Sequence, residues 1–496
     1  MRDRARAEGD AGFSAPGVPA KSEISWGGMA PGRLGREDVR TSGDRTLHGG
    51  VEARSGCHPL CVSRLVSLGT LLLVVLASAC MGATSMSPPA KTIHIGVDLP
   101  TTGNEARAAL PALNGIRFFV QTHPMLDGFG VDLTVADDAG GGFPNPARGA
   151  SNVRGFLADS SLVAMIGPFD AGVARKEIPI ANEAGLAMIS PATSSPCLTR
   201  DVFMPARLNP ARTEIGCKMA GLPPASDLRP AHVNNFFRLS VPDDLQGAAA
   251  ADYAFNMLHV LRAGAISDHE AYGQGLVDAF SARLASLGGT VLGHLDLDPK
   301  NPDATAFLRS MKEANAQAIY YGGPSRMGGC NIRAEMSAQF GVGEATPFLG
   351  GDGIAQDPAC IRSAAGNSGG IFATVPIIDA TSLPGARSMI HDFKAAFGNT
   401  SDFGPYTIVA YDATAVLYAA LDRAVRDSGG KAPDRAKVTK DLAQISGLAG
   451  LTGNIGFDAF GDTTNRVISI FESGGSDPRT PWKLAGKVDY SARLPY

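Results

Sequence analysis

The chain has 496 residues, which is too long for a single hydrophobic core and predicts two or three domains. Hydrophobic residues make up 44% of it and charged residues 19%, values typical of a folded globular protein rather than a disordered one. The formal net charge of −4 gives no general basic surface, so nucleic acid is not expected as a partner.

The first part of the chain differs from the rest. Residues 1–63 are rich in Arg and Gly and lack periodicity, so we expect this extension to be disordered or to precede the true translation start, near residue 51 or 62. Residues 64–79 combine a basic residue, an apolar run shorter than a membrane span of roughly 20 residues, and small residues at the end. This combination predicts a secretory signal peptide, with an uncleaved anchor as the alternative.

The signal segment ends in LASAC at residues 76–80, which resembles the lipobox of bacterial lipoproteins, although Ala77 stands where Leu is usual. The resemblance implies that Cys80 is lipidated and becomes the mature N-terminus. Residues 80–91 are small residues and prolines, as expected of a tether. The predicted location is therefore outside the cell or in the periplasm, anchored to the outer face of the cytoplasmic membrane.

Four cysteines follow Cys80 in the chain: Cys197, Cys217, Cys330 and Cys360. An even number in an exported chain predicts disulfides, and sequence order favours Cys197 with Cys217 and Cys330 with Cys360. A metal site is the weaker alternative because no Cys-x-x-Cys pair is present and the histidines are scattered. We therefore expect no metal and no cofactor.

Strand and helix patterns alternate from residue 93 onward. The predicted strands include residues 93–99, 131–135, 162–166, 187–189, 236–239 and 371–375, and the predicted helices residues 106–121, 146–158, 243–258, 385–397 and 406–426. Such alternation predicts doubly wound α/β sheets in two blocks that meet near residue 240. The proline-rich segment 196–233 interrupts the pattern and is expected to be an excursion closed by a disulfide.

The stretch from residue 162 to 195 predicts the position of a site. A strand, a helix capped by Asp170 and a second strand form a parallel crossover, so both loops leave the sheet at the edge where α/β proteins bind ligands. The second loop, SPATSS at residues 190–195, has small side chains that leave its backbone N–H groups accessible. It suits a carboxylate, with an ordinary capping turn as the alternative.

Several segments in order resemble the branched-chain amino-acid (Leu/Ile/Val-type) substrate-binding proteins of ABC transporters. They include IHIGVDLPTTG, AMIGPFDAGVARKEIPIANEAGLAMISPATS, FFRLSVPDDLQGAAAADYA, EAYGQGLVDAF, PFLGGDGIA and YTIVAYDATAVLYAAL. The resemblance covers residues 91–466 and implies the type I periplasmic-binding-protein fold, in which two doubly wound α/β lobes joined by three hinge strands close on a ligand like a clamshell.

By similarity, the hinge strands fall near Leu239, Ala373 and Phe457. The implied lobe 1 comprises residues 92–239 and 374–457. The implied lobe 2 comprises residues 240–373 and 458–496.

The resemblance also implies ligand contacts. Ala192, Thr193 and Ser194 match the loop that holds the ligand carboxylate, Asp352 matches the acid that pairs with the ligand ammonium, and Tyr272 matches an aromatic residue of the cleft. From the residues alone, Asp352 between glycines could instead be a turn residue. A charge-assisted pair in a dry cleft would select a cation.

Three positions depart from the family pattern. Ala171 stands where a second hydroxyl contact is expected, and Ala108 and Pro324 stand where the family has aromatic walls. These departures predict a reshaped pocket and weaker carboxylate recognition.

The resemblance implies a monomer that binds a small amino acid or amide-like zwitterion and delivers it to permease subunits in the membrane. The G-x-S-x-G sequence at residues 366–370 follows a helical segment and precedes a strand, which reverses the order of a hydrolase nucleophile elbow. An enzyme is therefore not expected. A ligand-sensing receptor of the same fold is the alternative.

Overall fold

The computed structural model describes residues 91–494, apart from residues 207, 209–212, 299, 342–345, 365, 399–402 and 475–481. The predicted extension (1–63), the signal peptide (64–79), Cys80 and the tether up to residue 90 lie outside the described residues. Within the described ranges, no helix is both long and apolar enough to cross a membrane.

The strands of the described residues are numbered in chain order. They are β1 (Thr92–Leu99), β2 (Met125–Leu126), β3 (Phe129–Asp137), β4 (Ala139–Gly140), β5 (Phe143–Pro144), β6 (Leu162–Ile166), β7 (Ala187–Ser190), β8 (Val202–Met204), β9 (Ile215–Gly216), β10 (Phe236–Arg238), β11 (Arg262–Ser267), β12 (Thr290–Asp296), β13 (Ala318–Gly322), β14 (Phe348–Gly350), β15 (Ile371–Val375), β16 (Leu448–Gly450), β17 (Gly453–Ile455), β18 (Val467–Ser473) and β19 (Trp482–Asp489).

The α-helices are numbered in the same way. They are α1 (Ala106–Thr122), α2 (Pro146–Leu157), α3 (Ala171–Glu183), α4 (Asp243–Asn256), α5 (Ala271–Ser286), α6 (Thr305–Glu313), α7 (Gly329–Phe340), α8 (Pro358–Ser363), α9 (Pro384–Phe397), α10 (Tyr406–Asp427) and α11 (Arg435–Leu442).

Two sheets form the framework, with strand orders β10-β7-β6-β1-β3-β2 and β12-β11-β13-β14-β15-β18-β19. The pairs are parallel except at β2–β3, β15–β18 and β18–β19. Central strands such as β6 and β13 are buried at every residue, because helices cover both faces of a parallel sheet. The predicted mixed α/β fold with two doubly wound lobes is confirmed.

Each sheet recruits elements that are distant in sequence. Helix α10 follows β11–β15 of the second sheet, yet its Val409, Ala413 and Leu417 share a core with Ile95 and Val97 of β1 in the first sheet. Conversely, β18 and β19 come after α10 but extend the second sheet. We call the body around the first sheet lobe 1 and the body around the second sheet lobe 2.

The chain passes between the lobes in three neighbouring segments joined by backbone hydrogen bonds. The Val241 N–H donates to the Pro376 carbonyl at 2.7 Å, and the Ser469 N–H donates to the Ile377 carbonyl at 3.2 Å. A further bond of 3.1 Å runs from the Arg238 N–H to the Gly461 carbonyl. These contacts lie close to the crossings expected from the resemblance, whose exact boundaries remain a prediction.

The excursion after β7 contains β8 and β9 and is closed by the disulfide between Cys197 and Cys217. Its Phe203 packs in one buried cluster with Ala248 of α4 and Ala279 of α5. The excursion therefore shares its core with helices of lobe 2, although it follows a loop of lobe 1. The second predicted disulfide, Cys330–Cys360, is also present and joins α7 to α8.

Candidate functional site: a cleft between the lobes

A cavity of about 480 Å³ lies between the two lobes. Its volume falls within the roughly 300–1,000 Å³ that is usual for small-molecule sites. Loops that follow β6 and β7 line it from lobe 1, and loops that follow β13 and β14 line it from lobe 2. The cavity thus lies at the carboxyl ends of parallel strands, where the sequence predicts a site.

Most of the predicted site residues line this cavity: Ala171, Ala192, Thr193, Ser194, Tyr272, Pro324 and Asp352. Ala108 is the exception, since it is not among the described residues that line the cavity, and Glu105 lines it instead.

Asp352 is held by side chains from both lobes. Its carboxylate accepts hydrogen bonds from Gln246 Nε2 at 2.9 Å, from the Tyr272 hydroxyl at 2.7 Å and from the Tyr406 hydroxyl at 2.8 Å. Burial, followed by the negative charge of Asp352, raises the pKa of both tyrosines well above its usual value, so both remain hydrogen-bond donors. The carboxylate is consequently oriented as a hydrogen-bond acceptor at the wall of the cleft.

The glycine before Asp352 has a packing role. A Cβ atom at Gly351 would lie 2.6 Å from Leu276 Cδ1 and 2.9 Å from the Tyr272 hydroxyl. Any larger residue would displace Tyr272 from its bond with Asp352. The glycine-flanked Asp352 is therefore part of a packed arrangement rather than an isolated turn.

The loop after β7 is organised from within by Ser190. The Ser190 hydroxyl accepts hydrogen bonds from the N–H groups of Ala192 at 3.2 Å and Thr193 at 3.0 Å, and donates to the Pro168 carbonyl at 2.7 Å. These two N–H groups are thus engaged within the protein, which differs from the expected anion-binding role. The Thr193 hydroxyl is buried and has no hydrogen-bond partner among the described residues, so it is available to a ligand.

A buried arginine supports this loop from behind. Arg238 is fully buried and donates to the Ser195 carbonyl at 2.7 Å, the Thr199 hydroxyl at 2.8 Å and the Asp462 carboxylate at 2.7 Å. Burial raises the pKa of Asp462, but the charges of Arg238 and Arg200 outweigh burial and lower it overall. The ion pair is therefore charged and fixes the loop to the hinge.

Asp243, the first residue of α4, is an acid of the cleft that the sequence analysis does not identify. It is 3% exposed, lines the cavity, and has one carboxylate oxygen without a partner among the described residues. Burial raises its pKa to about 7, although a hydrogen bond from Ser194 opposes the shift. In the sequence, Asp243 and Asp244 look like ordinary acids at a helix N-terminus.

Arg175 of α3 is a second residue missed from the sequence. It lines the cavity, its Nε is buried without a partner among the described residues, and its Nη2 donates to Ser195 Oγ at 3.4 Å. Burial lowers the pKa of Arg175, while the charges of Asp170 and Asp243 partly restore it. The Arg-Lys pair at residues 175–176 would equally suit the solvent-exposed face of a helix, so the sequence carried no distinct signal.

Aromatic side chains also line the cleft, at positions other than the expected ones. Phe169 and Tyr406 pack edge to face with ring centroids 4.9 Å apart, and the exposed Phe143 also lines the cavity. Tyr406 is the first residue of α10, a helix quoted in the resemblance without a ligand role. Phe143 and Phe169 therefore supply aromatic surface, although Ala108 and Pro324 stand where the family pattern has aromatic residues.

Two ion pairs connect the lobes beside the cavity. Arg326 of lobe 2 lies 3.2 Å from Glu105 of lobe 1, and its guanidinium lies 5.6 Å from the centre of the Phe143 ring. Arg107 of lobe 1 lies 3.1 Å from Asp357 of lobe 2. Together with the bond between Tyr406 and Asp352, these contacts join the two walls.

Two α/β lobes with a polar cleft between them and three connecting segments define the class of two-lobed solute-binding proteins. The family model described as "Periplasmic binding protein" matches residues 92–476. The chain therefore belongs to the periplasmic binding protein family, in the branched-chain amino-acid group of ABC-transporter substrate-binding proteins. This is a family of binding proteins rather than enzymes, as the sequence analysis expects.

Named relatives agree with this assignment. The chain is 26% identical over 405 residues to Leu/Ile/Val-binding protein homolog 3 of Brucella melitensis, which covers 81% of this chain and 97% of the relative. It is 25% identical over 376 residues to an amino acid binding protein of Pseudomonas aeruginosa, covering 74% of this chain and 87% of the relative.

Solved structures share the fold. The leucine binding protein LivK of Thermotoga maritima matches with a TM-score of 0.62 and 22% identity over 80% of this chain and 99% of that chain. A solute-binding protein of R. palustris in complex with benzoate matches with a TM-score of 0.59 and 19% identity over 80% and 96% of the two chains.

Proposed function

We propose that this protein binds a small amino acid or amide-like zwitterion in the cleft and delivers it to an ABC permease. The observation that carries the proposal is the Asp352 carboxylate, which is oriented by Tyr272 of lobe 2 and Tyr406 of lobe 1. A carboxylate oriented in this way at the meeting point of two lobes suits a ligand ammonium. The names of the curated relatives, which are Leu/Ile/Val-binding proteins, support the same ligand class.

The proposed mechanism is closure around the ligand. The ligand docks first on the loop of Ala192, Thr193 and Ser194, and Asp352 and Tyr272 then approach from lobe 2. Closure is stabilised only by the difference in ligand affinity between the open and closed forms. We place the moving bodies at the predicted bounds, residues 92–239 with 374–457 against residues 240–373 with 458–496.

The proposal extends to the cellular context. We propose that the protein is exported, carries a lipid on Cys80 and acts as a monomer on the outer face of the cytoplasmic membrane. Only the closed form would then be recognised by the permease subunits.

Titration calorimetry with the twenty standard amino acids, short amides and small carboxylates tests the ligand class. We expect at least one zwitterion to bind, and Asp352→Asn to weaken that binding by about 100-fold, since an uncharged amide no longer attracts the ammonium. Asp392→Asn, an aspartate exposed on α9 beside His391, is the matched control and should bind normally. If no zwitterion or amide binds, or if Asp352→Asn binds as tightly as the wild type, the proposal is wrong.

A further inference from the structure

Arg175 lies four residues after Ala171 on α3, a spacing that puts two side chains on the same face of a helix. Both residues line the cleft. At Ala171 the hydroxyl expected from the family pattern is missing. One helical turn further along, the same face of α3 provides a guanidinium group.

The guanidinium has more donors than the surrounding protein uses. Arginine carries five N–H donors. Nη2 makes one long bond to Ser195, Nε has no partner, and no carboxylate of the described residues forms an ion pair with Arg175. A partly buried guanidinium with an unpaired, buried Nε is unfavourable without an anion, so this group is suited to an anion that enters the cleft.

The charges that line the cavity restrict where an anion could bind. Six acidic residues line it: Glu105, Asp170, Asp243, Asp268, Glu270 and Asp352. Arg326, the other lining arginine, is paired with Glu105. Among the described residues of the cavity wall, Arg175 is thus the cation with no carboxylate at ion-pair distance, although the charges of Asp170 and Asp243 act on it from further away.

We infer that Arg175 binds the carboxylate of the ligand, so that the ligand is an amino acid with a free carboxylate rather than an amide. The inference rests on the proposed function, because it assigns the second end of the zwitterion whose ammonium is assigned to Asp352. The planar guanidinium can donate two parallel hydrogen bonds to a carboxylate. The buried Thr193 hydroxyl on the adjacent loop can donate a third.

The wild-type protein provides the first test, without any mutation. The twenty amino acids and benzoate are screened by calorimetry, and the tightest-binding amino acid is then compared with its α-amide and with its deaminated acid. We expect the amide to bind about 10- to 100-fold more weakly than the amino acid, because it cannot form the charge-assisted pair.

Substitution provides the second test. We expect Arg175→Gln to weaken amino-acid binding by about 10- to 100-fold while leaving amide binding within about threefold, and Arg175→Lys to fall between the two. Arg154→Gln on the adjacent helix α2 is the matched control, since Arg154 does not line the cleft and should not affect binding.

The outcomes separate this inference from the proposed function. If an amino acid binds but Arg175→Gln or conversion to the amide has no effect, the carboxylate assignment is wrong and the zwitterion proposal stands. If benzoate binds through Arg175 and no amino acid binds, the carboxylate assignment stands and the zwitterion proposal is wrong. If nothing in the screen binds, both are wrong.

Discussion

Lobe 1 and lobe 2 both bury acidic side chains, but they satisfy them differently. In lobe 2, Asp252 is paired with Arg283 at 2.8 Å and Asp352 accepts three hydrogen bonds. In lobe 1, Asp138 is buried with neither carboxylate oxygen bonded within the described residues, and burial with the nearby charges of Asp98 and Asp170 raises its pKa to about 8. Asp252 and Asp352 are thus held by hydrogen-bond donors, whereas the raised pKa of Asp138 favours its protonated form at neutral pH.

Because of this difference, the two walls of the cleft can carry opposite charges. Burial, together with the nearby carboxyl group of Asp98, raises the pKa of Glu177 well above its usual value. This upward shift favours the neutral form of Glu177, as the raised pKa of Asp138 does for that residue, and so lowers the negative charge near Arg175 on the same helix. Lobe 1 can then present a cation and lobe 2 an anion, which is the arrangement that a zwitterion requires.

Removal of the disulfides should have the largest effect on stability. One disulfide lies next to the lobe 1 loop of the cleft, and the other lies within lobe 2. We expect Cys197→Ala with Cys217→Ala, and separately Cys330→Ala with Cys360→Ala, to lower the free energy of unfolding by about 2–4 kcal/mol each. Only the first pair should also weaken amino-acid binding, because Cys197 follows directly after the loop of Thr193, Ser194 and Ser195. Chemical unfolding measures the loss of stability and calorimetry the loss of affinity. Equal losses of affinity in the two double variants would contradict the prediction that only the Cys197–Cys217 disulfide supports the binding loop.

The pH dependence of stability tests whether the lobe 1 acids are neutral. Asp138 has a folded-state pKa of about 8 against about 3.8 when unfolded. The folded state therefore keeps a proton that the unfolded state loses, and its stability falls as the pH rises from about 4 to about 8. We expect Asp138→Asn to reduce this fall and to stabilise the protein at pH 8 by about 1–3 kcal/mol.

Thermal and urea unfolding at pH 5 and pH 8 would measure that change. Asp132→Asn, at an exposed aspartate of β3, is a suitable control. An unchanged pH profile in Asp138→Asn would show that the lobe 1 acids are ionised, which removes the contrast between the lobes.

Asp243 also belongs to the lobe 2 wall of the cleft, and burial raises its pKa to about 7. Between pH 6 and pH 8 it ionises, so we expect affinity for an amino acid to rise by about two- to tenfold over this range through attraction of the ammonium. Calorimetry at both pH values measures this effect. Asp243→Asn should abolish it, whereas retention of the full pH effect in that variant would assign it to another group, such as Asp268.

The ion pair between Arg326 and Glu105 should have the smallest effect. Both side chains are partly exposed, and such pairs contribute only about 0.2–1 kcal/mol. We expect Arg326→Gln to weaken ligand binding by about two- to threefold at low salt and hardly at all at 0.5 M salt, since salt screens the pair. A larger loss that does not depend on salt would mean that Arg326 contacts the ligand itself.

Much of the fold could be predicted from the sequence because its signals are local. The capping of α3 by Asp170, whose carboxylate accepts the N–H groups of Gly172 at 2.7 Å and Val173 at 3.0 Å, depends on residues three positions apart. The alternation of strands and helices likewise depends on short-range periodicity. Boundaries are less exact: β3 runs from Phe129 to Asp137 rather than over residues 131–135. Gly130 interrupts the apolar run at its start, and the partly exposed Ala136 and Asp137 extend the strand beyond the apolar run at its end.

The sequence by itself determined the two-block α/β organisation, the edge of the sheet that carries the site, and the pairing of the cysteines. Tertiary structure alone decided that Arg175, Asp243 and Tyr406 share a cavity with Thr193 and Asp352. Those residues come from separate elements of two lobes, and no periodicity links them. Whether a charged side chain faces water or a cleft depends on the helix packed opposite it, which is a long-range property that a local sequence pattern does not encode.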